Sequence, residues 1–218
     1  DTVVSGNLDL KYSAISIIST TITDAVTVDI ISGTAAGDAT AISFDNTDTT
    51  GVTVSATTFS VDAGNFTNAG AVETLAISST TAGATVTVGT MVAAAGLATL
   101  SVTGTNAAAV IGNVGSSTAA PLLTSITLVA DEANATVGTV DLTTAVAAGV
   151  ANTITMSATS GDTAAIGAIT GAAALNTITL NLSGAGTMTT GLISTFDLVV
   201  NAADTSGVVT VVGTTVAS

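Results

Sequence analysis

The sequence predicts an all-β fold, a parallel β-helix (solenoid) with coils of about 20–28 residues. Three observations carry that prediction. A phrase of alternating apolar and hydroxyl residues is written six times at near-constant spacing. A weaker, glycine-bearing phrase is interleaved with it. The apolar residues are mostly small or branched, and bulky anchors are few.

The first phrase reads ETLAISST from Glu73, ATLSVTGT from Ala98, TSITLVAD from Thr124, NTITMSAT from Asn152 and NTITLNLS from Asn176. A shorter copy, TFDLVV, begins at Thr195. Starts are 25, 26, 28, 24 and about 20 residues apart. Within NTITMSAT, Ile154, Met156 and Ala158 fall on one side and Thr153, Thr155 and Ser157 on the other. Period-two alternation marks a strand with one buried face. The same reading puts Leu100 and Val102 inside, and then Ile178, Leu180 and Leu182, with Phe196, Leu198 and Val200 in the last copy. The β-branched residues Thr, Val and Ile favour this conformation.

The second phrase reads ATVTVGT from Ala84, AAVIGNVG from Ala108, ATVGTVDL from Ala135, TAAIGAITG from Thr163, GTMTTGLI from Gly186 and GVVTVVGT from Gly207. It suggests one glycine-interrupted strand per repeat, followed by an Ala-rich bend such as MVAAAGLA (91–98) or TAVAAGVA (144–151), where a short helical turn would fit. A repeat of this length signals one coil stacked on the last. Residues 1–70 hold strand-like runs at uneven spacing, so they form a less regular β region, with distorted first coils, and 71–218 a regular solenoid; the two also read as one continuous domain.

Composition agrees. Of 218 residues, 47% are apolar, with four Phe, one Tyr and no Trp. Facing walls of a narrow coil lie about 10 Å apart, which leaves little room for rings. Lys11 is the only lysine or arginine against fifteen acids, giving a net charge of −14. That balance repels nucleic acid and anionic headgroups, which need cationic side chains. No cysteine is present, and with so few cations the expected location is extracellular. No run of 18 apolar residues predicts a membrane span. Beginning at Asp1, the chain reads as an excerpt of something longer or a mature fragment.

Without His or Cys, the chain has no Ser–His or Cys–His nucleophile and no zinc or haem ligand set of the usual kind. Paired carboxylates serve glycoside chemistry, but a sugar site usually also has Lys, Arg or aromatic groups, which are scarce here. The expectation is a protein that is not an enzyme.

Two features point towards binding and assembly. Acidic turns occur at 44–51, with Asp45, Asn46 and Asp48; at 129–135, with Asp131, Glu132 and Asn134; and at Asp38 and Asp162. Calcium takes six to eight oxygen ligands, and close Asp/Asn in turns offer them; Asp and Asn also favour turns for their own sake. The outward side of the first phrase carries Thr74, Thr99 with Ser101, Ser125 with Thr127, Thr153 with Thr155, and Thr177 with Thr179. Stacked, these make a hydroxyl ladder with almost no charge to keep a second copy away. Ice-binding solenoids present a similar array.

At AVETLAISST (71–80) the opening V-E-T-L-x-I, followed by Thr/Ala/Gly-rich coils, resembles the repeat regions of bacterial surface-layer (S-layer) proteins and related RTX-like secreted surface proteins. The resemblance spans about 70–213 and implies a structural, self-assembling component of a cell-surface layer, ordered by calcium. Its partners would be copies of itself, with cell-surface polysaccharide reached through another region. The chain lacks the RTX nonapeptide GGxGxDxUx. Rival readings are an ice-binding or glycan-binding adhesin stalk and, further off, a polysaccharide-degrading enzyme.

Overall fold

The computed structural model describes residues 2–12, 16–17, 20–32, 37–39, 41–44, 49–120, 122–142, 151–170, 177–195 and 197–215. The described residues contain strands and turns and no helix. Among the described residues every pairing of strand with strand is parallel, with one isolated antiparallel bridge between Thr105 and Glu132, so the chain is a parallel β-helix as its sequence predicts.

Each regular coil has three strands and so three walls. The first sheet takes the long phrase: Gly51–Ala56, Thr74–Ser79, Thr99–Thr105, Ser125–Asp131, Ala151–Ala158, Thr177–Gly184 and Asp197–Thr205 lie on one another in chain order. Of the last copy, Phe196 lies outside the described residues. The second sheet takes Val86–Val88, Ala109–Ile111, Ala135–Val137 and Thr163–Ile166. The third takes Met91–Ala93, Val114–Thr118, Val140–Asp141 and Ile169–Thr170. What reads in sequence as one glycine-interrupted strand is therefore two strands on two walls, with the glycine at the corner between them.

Inward positions form continuous apolar columns. Val28, Val52, Leu75, Leu100, Ile126, Ile154 and Leu180 stack in one, and Ile30, Val54, Ile77, Val102, Leu128 and Met156 in the next; all are buried. Burial of each such side chain contributes about 1.5–3 kcal/mol. The third wall carries the largest groups, and Phe44 meets Phe66 edge to face with centroids 5.4 Å apart. The columns cross residue 70 without a break, because Gly51–Ala56 pairs with both Thr20–Ser32 and Thr74–Ser79.

The corners explain the residue choices of the second phrase. Gly89, Gly112, Gly138 and Gly167 stack, each amide donating to a carbonyl of the corner glycine before it: Gly89 to Gly64 at 2.7 Å, Gly112 to Gly89 at 2.9 Å, Gly138 to Gly112 at 3.1 Å and Gly167 to Gly138 at 3.2 Å. A Cβ at Gly112, Gly138 or Gly167 would sit 2.8–2.9 Å from the oxygen of the preceding glycine. Beside this ladder, Asn65 Oδ1 accepts from the Thr90 amide at 2.8 Å and Asn113 Oδ1 from the Thr139 amide at 2.9 Å. The Ala-rich bend is a tight turn: Val72, Leu97 and Leu123 donate to Ala69, Ala94 and Ala120, 3.1–3.2 Å away. Of the helical turns suggested at 91–98 and 144–151, the first is instead a strand followed by this turn; the second lies almost wholly outside the described residues.

One register differs from the phrase alignment. Setting NTIT on NTIT would place Ile154 beside Ile178; instead Ile154 pairs with Leu180 and Thr153 with Thr179, two residues on. This lays Gly184, at φ +106, over Ala158, where the Ala158 carbonyl leaves no space for a Cβ. Asn152 consequently points inward beneath Ile178, buried, with its Nδ2 donating to the Leu123 carbonyl.

The glycine ladder gives a stability prediction. Gly138→Ala should destabilise the protein by about 1–3 kcal/mol in urea unfolding, because the new methyl overpacks against the Gly112 carbonyl. Unchanged or increased stability would show that the corners do not touch.

Candidate functional site

The outer surface of the first sheet is the most regular feature of the molecule. Its outward positions fall into three columns. Thr74, Thr99, Ser125, Thr153 and Thr179 form the first, and Ala76, Ser101, Thr127, Thr155 and Asn181 the second. Ser78, Thr103, Val129, Ser157 and Ser183 form the third. Thr177 is not in the ladder with Thr179; it pairs with Ala151 at the strand start, and Thr179 has Asn181 as its neighbour instead. This follows from the two-residue register difference.

In the five strands from Thr74–Ser79 to Thr177–Gly184, the only charged residue is Asp131, at a strand end. With coils about 4.8 Å apart and residues about 3.3 Å apart, this face measures roughly 20 Å by 20 Å. Its backbone groups are held within the sheet, so what it presents is hydroxyls and methyls. At the lower end, an irregular register between Asn181 and Ser183 opens a cleft of about 210 Å³ lined by Thr155, Asn181, Ser183, Asn201 and Asp204. Asn201 Nδ2 donates to Asn181 Oδ1 there at 2.9 Å.

The acidic turns are placed as follows. Asp45, Asn46 and Asp48 lie outside the described residues. Asp38 lies in Gly37–Ala39 at the register position next to Asp62 of the following coil. Asp131, Glu132 and Asp162 occupy the corner between the first and second sheets on successive coils. Asp131 and Glu132 are exposed, and Glu132 has a left-handed backbone at φ 62. Thr159 ties the two coils: its hydroxyl accepts from the Glu132 amide at 3.0 Å and donates to Asp162 Oδ2 at 2.5 Å. Nearby, Asn134 Oδ1 accepts from the Thr163 amide at 2.9 Å. Among the described residues, no three acidic, His or Cys side chains gather closely enough to hold a metal ion. The corner therefore supplies carboxylates at its surface, whereas the Asn134 amide and Thr159 hydroxyl act as structural links between coils.

Sequence reasoning missed the Asn65 and Asn113 corner links and the cleft at Asn201. The first had a signal, an Asn directly after a corner glycine. The cleft had none, because it arises from unequal residue numbers between paired positions.

No helix among the described residues is long and apolar enough to cross a membrane. No protein-family model, curated protein or solved structure matches the chain.

The Thr159 link is testable. Thr159→Val removes its hydroxyl contacts to Glu132, Asp162 and the Ala130 carbonyl and should lower unfolding stability by about 1 kcal/mol, while Thr159→Ser should retain most of it. Equal stability of the Val and Ser variants would contradict the link.

Proposed function

We propose that the chain is a structural, self-assembling component of a bacterial cell-surface layer, lying outside the cell and stabilised by calcium. The observation that carries this reading is the flat, uncharged face of the first sheet, repeated coil after coil in Thr, Ser and other small residues. A second copy meets nothing repulsive there, although the whole molecule carries −14. The face is small against the roughly 800 Å² per partner of a typical stable complex. Lateral contact is thus weak singly and gains strength by repetition across a layer.

Calcium enters through charge. One lysine cannot neutralise fifteen acids, and packing such chains side by side brings like charges within a Debye length of about 8 Å. Divalent cations at the corner of exposed Asp131 and Glu132 and half-buried Asp162 would relieve that repulsion between neighbours. Asp38, Asp45, Asn46 and Asp48 are further carboxylate and amide donors for the same role.

The paired Thr/Ser columns also favour a second reading, ice binding, although Ala76 and Asn181 interrupt the array. A measurable thermal hysteresis would support that reading over the layer.

Electron microscopy with about 5–10 mM Ca²⁺, well above the roughly 0.1–1 mM Kd of weak extracellular calcium sites, should show sheets that disappear in chelator. Melting temperature should rise along the calcium titration, since an ion that binds only the folded form stabilises it. Thr99→Lys/Thr127→Lys, outward changes at one exposed and one half-buried position, should abolish sheets while altering stability by no more than about 0.5 kcal/mol each. Monodisperse protein with and without the ion would contradict the proposal.

A further inference from the structure

The cleft between Thr177–Gly184 and Asp197–Thr205 departs from the rest of the hydroxyl face in shape, residue type and pairing. Two residues, Ala202 and Ala203, stand between Asn201 and Asp204, where only Leu182 stands between their partners Asn181 and Ser183. The extra residue is a β-bulge, which bends its strand and re-aims side chains, and bulges recur beside active sites. Here it opens about 210 Å³, several times the roughly 30 Å³ of a water molecule and below the roughly 300–1,000 Å³ of sites for drug-sized ligands.

Residue type changes at the same place. The second outward column passes from Thr127 and Thr155 to Asn181 and Asn201, and the third from Ser157 and Ser183 to Asp204. Hydroxyls thus give way to amides and a carboxylate where the face is indented. Elsewhere such groups serve the fold: Asn65, Asn113 and Asn134 each accept a backbone amide of the next coil. In the cleft they do not. Asn201 Nδ2 donates to Asn181 Oδ1, which leaves the Asn181 nitrogen and the Asn201 oxygen unused. Among the described residues, the Thr155 and Ser183 hydroxyls and the Asp204 carboxylate make no hydrogen bond. Asn201 and Asp204 are exposed.

This set selects against three classes of ligand. An anion meets the Asp204 carboxylate and no cation in the lining. An apolar molecule would strip water from five polar side chains and return no hydrogen bond. A metal ion finds a single carboxylate, in a space many times its size. A neutral molecule dense in hydroxyls fits, because each hydroxyl both donates and accepts. It can serve the acceptor-only carboxylate, the amide nitrogen and the Ser and Thr hydroxyls alike. Two neighbouring hydroxyls suit the two oxygens of Asp204.

We infer that this cleft binds one unit of a neutral saccharide, with Asp204 accepting from a vicinal diol and Thr155, Asn181, Ser183 and Asn201 holding the remaining hydroxyls. The site goes beyond the layer proposed above, since it lies within one copy and needs no calcium.

The test is saturation-transfer NMR on the 218-residue chain in chelator, with methyl α-glucoside, methyl α-mannoside and methyl β-galactoside as probes. A single ring held by hydrogen bonds alone should bind with a Kd on the order of millimolar for at least one of them. Asp204→Ala should weaken that binding about tenfold or more and Asn201→Ala about threefold or more. Thr136→Ala, on the outer side of the second sheet, should leave it unchanged. Unchanged melting temperatures, expected at exposed positions, separate these losses from unfolding. A chain that binds none of the three glycosides, or cleft variants that bind as the wild type does, would overturn the inference. So would calcium shifting the amide resonances of Asn181, Asn201 and Asp204 with no glycoside signal, since the cleft would then be a cation site. Glycoside binding by protein that forms no sheets would support the site and count against the layer alone.

Discussion

The structure depends on parallel coils staying in register. Between coils the abundant interactions are backbone hydrogen bonds and apolar stacking, since one lysine leaves little scope for ion pairs. Each coil must therefore offer its amides and carbonyls to the next at one spacing, about 4.8 Å. Inward columns such as Leu100–Ile126–Ile154–Leu180 follow from that constraint, because a fixed register places like upon like. So do the corners. Where the chain turns between the second and third walls, the backbones approach so closely that glycine recurs at 89, 112, 138 and 167. The narrow cross-section then favours Val, Ile, Leu and Ala over rings, of which Phe44 and Phe66 pack together edge to face.

The outer surface inherits the same order. Since inside and outside alternate along each strand, a strict inward pattern leaves outward positions free to be Thr, Ser or Ala at every coil. The hydroxyl columns of the first sheet are thus a consequence of register before they are a surface for anything. Register holds from the first strands to the last, so positions far apart in the chain, such as Val28 and Leu180, share one column.

Much of this was legible in the sequence. Alternation in NTITMSAT assigns Ile154, Met156 and Ala158 to the interior correctly, and the spacing of the phrase announces a coil. The third wall was not legible, because a glycine inside a strand pattern reads equally as a bulge or a corner. Nor was the true pairing of Thr153 with Thr179. A slip of one residue would exchange inside for outside, but a slip of two preserves every face, so the apolar pattern cannot detect it. The early coils read as distorted for a related reason: the run TVDIIS at 27–32 has the right inward residues, Val28 and Ile30, without the hydroxyl phrase that marks later copies. Of the acidic turns read from sequence, Asp38 lies instead in the strand Gly37–Ala39, where it pairs into the sheet, while Thr159 shows how neighbouring coils bring Glu132 and Asp162 to one corner. Their chemistry depends on ion and neighbour, which local spacing does not encode.

Register itself is open to direct measurement in a chain that has no cysteine of its own. Outward positions on adjacent parallel strands lie about 4.8 Å apart, within the roughly 4.4–6.8 Å between Cα atoms that a disulfide spans. Under mild oxidation, Thr153→Cys/Thr179→Cys should form an intramolecular bond in nearly every monomer, whereas Thr153→Cys/Thr177→Cys, displaced by two residues, should stay reduced. Bonding of the second pair in place of the first would refute the stacking of these coils, and bonding of neither would refute the parallel winding altogether.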